Sequence, residues 1–290
     1  MINFPVVDSH VHLWDPTRFR YSWLDNLPKL NRPFGVPDFR AACGQVQIAQ
    51  MVLVEAACDP RHNLEEAVWI NSLADQDERL QAIVAAAALE KGTAALPELT
   101  RLAAMQRVRG VRRILQSEPD VDFCLRPGFV AGVRLLARFD LSFDLCVNYR
   151  HLTNVIKLVQ QCPEIRFVLD HAGKPDIRGR QMYPWREQMS ELASLPNVWC
   201  KISGLVTEAD HQAWKGEDLW PYIDHVLECF GFDRVMYGGD WPVVLLASDY
   251  IRWVEALLRA VRGCSVRQQT ALFSQTARRV YRLKREKPEA

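Results

Sequence analysis

Val6-Val7-Asp8-Ser9-His10-Val11-His12 reads as a strand that ends on two histidines. Residues two apart on a strand project to the same side. His10 and His12 therefore face one space, with Asp8 on that side too, and Val11 faces the other. Seven further short, β-branched apolar runs follow at 50–56, 81–88, 108–114, 142–148, 165–170, 197–203 and 234–239. Between them lie stretches with helical spacing, among them 63–77, 95–105, 128–139, 152–161 and 219–230. Strands that are apolar on both faces and alternate with helices imply a parallel sheet. Eight such units predict an α/β fold, the (β/α)8 TIM barrel, which usually takes about 250 residues. Two extra C-terminal helices are expected near 248–262 and 266–282. An open doubly wound sheet fits the same alternation but would carry a glycine-rich phosphate loop after a strand, and the sequence has neither Gly-X-Gly-X-X-Gly nor Gly-X-X-X-X-Gly-Lys. With no linker, repeat or low-complexity segment, residues 1–290 are expected to form a single domain.

Composition narrows the partners. The 290 residues are 49% hydrophobic and carry a formal net charge of +1, with no long basic run. That balance argues against nucleic acid or an anionic membrane and for a small-molecule substrate. No apolar run approaches the ~20 residues of a membrane span. The start, Met-Ile-Asn-Phe-Pro-Val-Val-Asp, lacks the basic and apolar regions of a secretory signal. The eight cysteines show no Cys-X-X-Cys spacing and read as reduced packing residues of a cytoplasmic protein. Oligomeric state is not legible.

Barrel enzymes build their active sites at the C-terminal ends of the strands. His10 and His12 close the first strand, His171 closes the sixth in Leu169-Asp-His-Ala-Gly-Lys-Pro, and Asp240 closes the eighth in Tyr237-Gly-Gly-Asp-Trp-Pro-Val. Three imidazoles and a carboxylate form a set that zinc or manganese accepts. Asp8 could join them, although such an aspartate more often orients a neighbour or bonds backbone. Asp170 directly precedes His171 and is expected to point away from the barrel axis. His62, His211 and His225 fall on helices or loops and read as background.

These segments together resemble the amidohydrolase superfamily. More narrowly, they resemble the branch containing 2-pyrone-4,6-dicarboxylate lactonase and the sugar lactonases, such as L-fuconolactone hydrolase. The carrying blocks are Val7-Asp-Ser-His-Val-His-Leu-Trp-Asp-Pro with Tyr21-Ser-Trp-Leu, Leu169-Asp-His-Ala-Gly-Lys-Pro, Val198-Trp-Cys-Lys-Ile-Ser-Gly and Met236-Tyr-Gly-Gly-Asp-Trp-Pro. The two-metal members of that superfamily use a lysine on the fourth strand and a histidine on the fifth. Here those strands read Arg109-Gly-Val-Arg-Arg-Ile and Cys146-Val-Asn-Tyr, so a binuclear centre is not expected. The resemblance implies a lactonase, with no cofactor required: Asp240 takes a proton from water while His10, His12 and His171 hydrogen-bond the lactone carbonyl. A single divalent metal such as zinc, held by His10, His12, His171 and Asp240, is the alternative. The competing activity is a mononuclear-metal decarboxylase of a hydroxybenzoate-type acid, which shares the His-X-His, His and Asp pattern.

The segment after the first strand, roughly 13–38, is long and rich in Trp14, Phe19, Tyr21, Trp23 and Phe34, as a lid over the mouth would be. Trp14, Tyr149 and Trp241 are expected to offer flat faces to a sugar ring, with Trp23 and Phe34 packing the loop onto the barrel. Asn148, His151, Lys174 and one of Arg112 and Arg113 are placed to reach hydroxyls or the carbonyl. A dicarboxylate would need several converging cations from Arg18, Arg20, Arg112, Arg113 and Lys174. Only one of the adjacent Arg112 and Arg113 can point inward, so a neutral polyhydroxy lactone, L-fuconolactone-like, is the expected substrate.

Overall fold

A computed structural model describes residues 4–284. Eight parallel strands pair in chain order: β1 (Val6–Val11), β2 (Ile48–Val54), β3 (Leu80–Ala86), β4 (Val108–Arg112), β5 (Ser142–Leu145), β6 (Phe167–Leu169), β7 (Val198–Ile202) and β8 (Val235–Tyr237). The rim closes after β8, where Asp240 N donates to His10 O and His12 N to Trp241 O, each at 2.7 Å. This is the expected barrel, with every strand where the apolar runs put it.

The connections carry α1 (Val36–Cys43), α2 (Asn63–Leu73), α3 (Leu96–Ala103), α4 (Pro127–Leu135), α5 (Leu152–Gln161), α6 (Trp185–Ser194), the one-turn α7 (Leu205–Glu208), α8 (Gly216–Phe230) and α9 (Tyr250–Ala260). The expected C-terminal helix exists as α10 (Val266–Thr270), five π-helical residues Ala271–Gln275, and α11 (Thr276–Val280). No helix among the described residues is long and apolar enough to cross a membrane. The eight cysteines are all unpaired, six of them buried, as packing residues should be.

Alternation sorts the strand side chains into two apolar layers. Val7, Val52, Val54, Ala82, Val84, Val168 and Met236 point inward, and Ala277, Val280, Tyr281 and Leu283 of the C-terminal segment close that inner cluster. Gln50 Nε2 donates to Lys284 O at 2.8 Å, which ties this plug to the start of β2. The outward residues, such as Val11, Leu53, Ile83 and Val111, pack beneath the helices.

Two local departures from simple alternation decide where the polar residues point. The β1–β2 register slips between Asp8 and Val11. Val7 is inward, so alternation leaves Asp8 outward, and the irregularity that follows it brings His10 and His12 in. Asp8 accepts from His10 N, Gly239 N and Tyr250 Oη of α9, so its role is to bond backbone and brace the rim. The second departure follows β6, where residues 171–174 all have positive φ (His171 56°, Ala172 50°, Gly173 69°, Lys174 47°). Such a left-handed turn costs about 1–2 kcal/mol per non-glycine residue. Lys174 N→His171 O at 2.9 Å and Trp185 Nε1→Ala172 O at 2.8 Å hold it. Because His171 breaks the strand geometry, both Asp170 and His171 turn inward. The expectation that Asp170 points away from the axis is therefore corrected.

Candidate active site

The four rim residues converge. His10 Nε2 lies 3.2 Å from His12 Nε2, and Asp240 Oδ1 is 3.7 Å from His10 Nε2, 3.5 Å from His12 Nε2 and 4.0 Å from His171 Nε2. All three imidazoles turn Nε2 toward that point because each Nδ1 is already held. His12 Nδ1 faces Val54 O at 2.9 Å, His171 Nδ1 faces Ser203 Oγ at 2.8 Å, and His10 Nδ1 sits 3.3 Å from Asp170 Oδ1. Val54 O can only accept, so neutral His12 carries its proton on Nδ1 and presents a lone pair to the site. In that state it is not the carbonyl donor expected of it.

Asp240 itself has φ 53°, a left-handed conformation that aspartate and asparagine tolerate better than most residues. Gly204, at the end of β7, has φ +60°, and a Cβ there would lie 2.5 Å from His171 Nδ1 and 3.1 Å from Asp240 Oδ2. Only glycine lets the loop close over these two groups.

Electrostatics keeps the set in working form. Burial alone would raise the Asp240 carboxyl, but the neighbouring groups, His171 first among them, outweigh that, and it is held below the ordinary carboxylate range. Burial pushes His10 and His171 well below the ordinary imidazole value, against the pull of Asp170 and Asp240 respectively. At neutral pH the site therefore holds an ionised carboxylate beside two neutral imidazoles.

Beneath it lies a buried ionic network that sequence reasoning missed. Lys201 Nζ, wholly buried, is 2.7 Å from Asp144 Oδ2, 2.9 Å from Asp170 Oδ1 and 3.2 Å from His10 Nδ1. Tyr281 Oη donates to Asp144 Oδ2 at 2.5 Å. Arg112 bridges Glu55 Oε1 at 2.5 Å, Glu55 O at 2.7 Å and Asp170 Oδ2 at 3.2 Å. Asp144, Lys201 and Arg112 each interrupt an apolar strand at an inward position. That pattern is a readable signal, because a buried charge needs a partner.

A cleft of about 550 Å³ opens above the cluster. His12, His171, Lys174 and Asp240 form its floor, with Arg112 at one side and Arg113 at the rim. Arg112 is thus the inward arginine of the pair, while Arg113 reaches Glu90 and Glu118 at 3.2 and 2.6 Å. Several expected contacts are corrected. Trp14 is fully buried, its indole donating to Leu30 O and Arg32 O, and Trp241 is sealed against Phe34 and Phe39. Trp241 turns outward at the bridge to Val11 that closes the rim, and Trp14 is drawn into the long loop by its bridge to Phe34. Asn148 caps the turn that follows β5 and His151 bonds the Asn148 side chain. Neither they nor Tyr149 line the cleft. The long loop does contribute a wall, through Ser22, Trp23 and Leu27. Trp23 was expected only to pack; its Nε1 bonds Ala56 O at 2.9 Å while its ring faces the cavity.

The chain belongs to the amidohydrolase family, whose pattern it matches over residues 7–283. It is an enzyme fold with enzyme relatives. It is 34% identical to an L-fucono-1,5-lactonase of Burkholderia multivorans over 298 residues, covering 96% of each chain. It is 32% identical to an L-fucono-1,5-lactonase of Burkholderia ambifaria over 255 residues, covering 86% of this chain and 85% of that one. A crystal structure of an amidohydrolase from Burkholderia multivorans with bound zinc superposes with a TM-score of 0.86 at 32% identity, covering 97% of this chain and 100% of that one.

The residues present fit such a cation. A tetrahedral zinc shell with bonds of about 2.0–2.1 Å has ligand-to-ligand edges of roughly 3.3 Å, close to the 3.2–3.7 Å separations among the His10, His12 and Asp240 donor atoms, while His171 Nε2 stands 4.0 Å from Asp240. His10, His12 and Asp240 form one group with ligand spacing, and His10, Asp170 and His171 form another.

Proposed function

We propose that this protein is a lactonase that opens a neutral, polyhydroxylated aldonolactone, L-fuconolactone-like, by water attack on the ring carbonyl. The observation that carries the reading is the placement of the Asp240 carboxylate at the cleft floor, among three histidines and Lys174. Asp240 accepts a proton from water as the water oxygen bonds to the carbonyl carbon. Lys174 supports the negative charge that develops on the carbonyl oxygen, aided by His171 Nε2. Burial would lower Lys174, but Cys146 and Glu208 outweigh it and the amine is kept protonated. The carbon–oxygen bond of the ring then breaks, and Asp240 returns its proton to the leaving alkoxide. A positioned base of this kind is worth about 10²–10⁴ in rate, and each oxyanion donor about 2.7–4 kcal/mol. His10, His12, His171 and Asp240 would hold a single divalent cation, which supplies Lewis-acid polarisation when bound.

The charge pattern of the cleft supports a neutral substrate. Arg112 already pairs with Glu55 and Asp170, Arg113 with Glu90 and Glu118, and Lys174 lies 3.6 Å from Glu208. A dicarboxylate or an aromatic acid would have to displace these carboxylates. The names of the two fuconolactonase relatives favour the same class. The test is a panel of aldonolactones of varied stereochemistry, followed with a pH indicator, with and without a strong chelator. Acidification that disappears in Asp240→Asn supports the reading. Carbon dioxide release from a hydroxybenzoate, with no lactone opened, overturns it.

A further inference from the structure

The wall that Trp23 gives to the cleft is held from behind by a carboxyl group that does not line the cleft. Three hydrogen bonds tie residues 20–23 of the long loop to the segment after β2 and to α2. Asp59 N donates to Arg20 O at 2.8 Å, Trp23 Nε1 to Ala56 O at 2.9 Å, and Tyr21 Oη to Glu66 Oε1 at 3.0 Å. Tyr21 and Glu66 are both buried. The other Glu66 oxygen accepts from Ala56 N at 3.5 Å, so one carboxyl of α2 bonds both loops, and the residue it holds is the one that receives the Trp23 indole. Glu55 fixes the same segment from its other end, its Oε2 accepting from Ala57 N at 2.6 Å. Burial and the neighbouring Glu55 keep the Glu66 carboxyl up at about 8, so at neutral pH it is a neutral acid that needs no cation.

Trp23 itself has little freedom. Its N–H edge is spent on Ala56 O, and its ring meets the fully buried Trp14 nearly at right angles, with centroids 5.2 Å apart. What it leaves toward the cleft is carbon. Ser22, Asn63, Gln116 and Ser117, also on the lining, can bond hydroxyls. An apolar face with a few polar groups is what a polyhydroxylated ring, apolar on its C–H faces and polar at its edge, requires. We propose that Trp23 is the specificity-determining residue that packs against the sugar ring, and that Glu66 is the positioning residue that sets it, acting through Tyr21 and Ala56. The first half rests on the lactonase reading; the second does not.

The position of Trp23 is read without substrate, by ¹⁹F resonance of protein labelled with fluorotryptophan, the Trp23 signal being assigned by its loss in Trp23→Phe. Glu66→Leu, of similar size, and Tyr21→Phe, which removes only the hydroxyl, are each expected to move or broaden that signal and to enlarge its shift between H2O and D2O. Glu66→Gln, which keeps an acceptor for Tyr21 Oη, is expected to leave it in place. A Trp23 signal unmoved in Tyr21→Phe overturns the role given to Glu66, and this variant decides the matter if Glu66→Leu does not fold. With an aldonolactone that the enzyme opens, Trp23→Ala is expected to raise KM about 5–10-fold, the size of one aromatic contact, while kcat holds, as when uniform binding is lost. Tyr21→Phe should raise KM about 2–5-fold, no more than one net hydrogen bond supplies, and Glu66→Gln should keep the wild-type KM. An unchanged KM in Trp23→Ala, or a fall in kcat alone, overturns the role given to the ring. A panel in which no lactone opens overturns the lactonase reading and that role with it, while the ¹⁹F result still decides the role of Glu66.

Discussion

Arg112 Nε lies 2.5 Å from Glu55 Oε1, and both side chains are almost wholly withdrawn from water. Breaking a buried pair from one side leaves an uncompensated charge, at about 3–5 kcal/mol. Arg112→Met strands Glu55 and one oxygen of Asp170, so it is expected to lose stability in that range, read as the midpoint of denaturant unfolding. Glu55→Gln/Arg112→Met should recover part of the loss. A double variant no more stable than the single one would show that the pair is not the cause.

Asp240→Asn is expected to lose 10²-fold or more of turnover, the low end of a general base's contribution, with its unfolding midpoint little changed. Asparagine accepts the positive φ that this position requires. Asp240→Ala should lose the same activity and, in addition, about 1–2 kcal/mol of stability to the left-handed backbone. Equal stability of the two variants would contradict the strain assigned here.

Gly204→Ala tests the close approach. The added methyl group meets His171 Nδ1 at 2.5 Å and adopts a positive φ. Strain of about 1–2 kcal/mol plus displacement of the His171 ring should lower both the melting temperature and kcat. Unchanged kinetics would mean that the His171 position is not critical.

The architecture was legible because inward and outward faces of all eight strands are apolar and only the rim and floor are charged. Asp240, His171 and the His-X-His pair were legible because each closes a strand. Asp8 and Asp170 were misdirected for backbone reasons: an irregularity in β1 and a left-handed turn after β6 change the alternation that two-residue spacing assumes. Trp14 and Trp241 look like ring-stacking residues, but their neighbours Phe34 and Phe39 draw them into the core. Glu55 and Lys201 were passed over because their meaning depends on partners that lie on other strands.

The pH profile of stability has a sign fixed by three buried groups. His10 and His171 are depressed, so their contribution is present above the ordinary imidazole value of 6.5 and is lost as pH falls through their folded values. Glu66 is pushed the other way, from 4.5 to about 8, by burial and by the neighbouring Glu55. Its contribution is full below 4.5 and lost as pH rises through about 8. Glu66→Gln, which keeps an acceptor for Tyr21 Oη (3.0 Å in the wild type), should therefore gain stability relative to wild type between pH 6 and 9. A difference independent of pH, measured by denaturant unfolding at several pH values, would refute this.

Tyr281 reaches Asp144 from a segment that follows all eight strands along the chain. A nascent chain can lay down every strand and still lack the phenol that steadies Asp144, so this contact forms only after the sheet, when the C-terminal segment closes on it. Cleavage or fusion near residue 281 would then be felt at the opposite mouth of the barrel, where nothing has been touched.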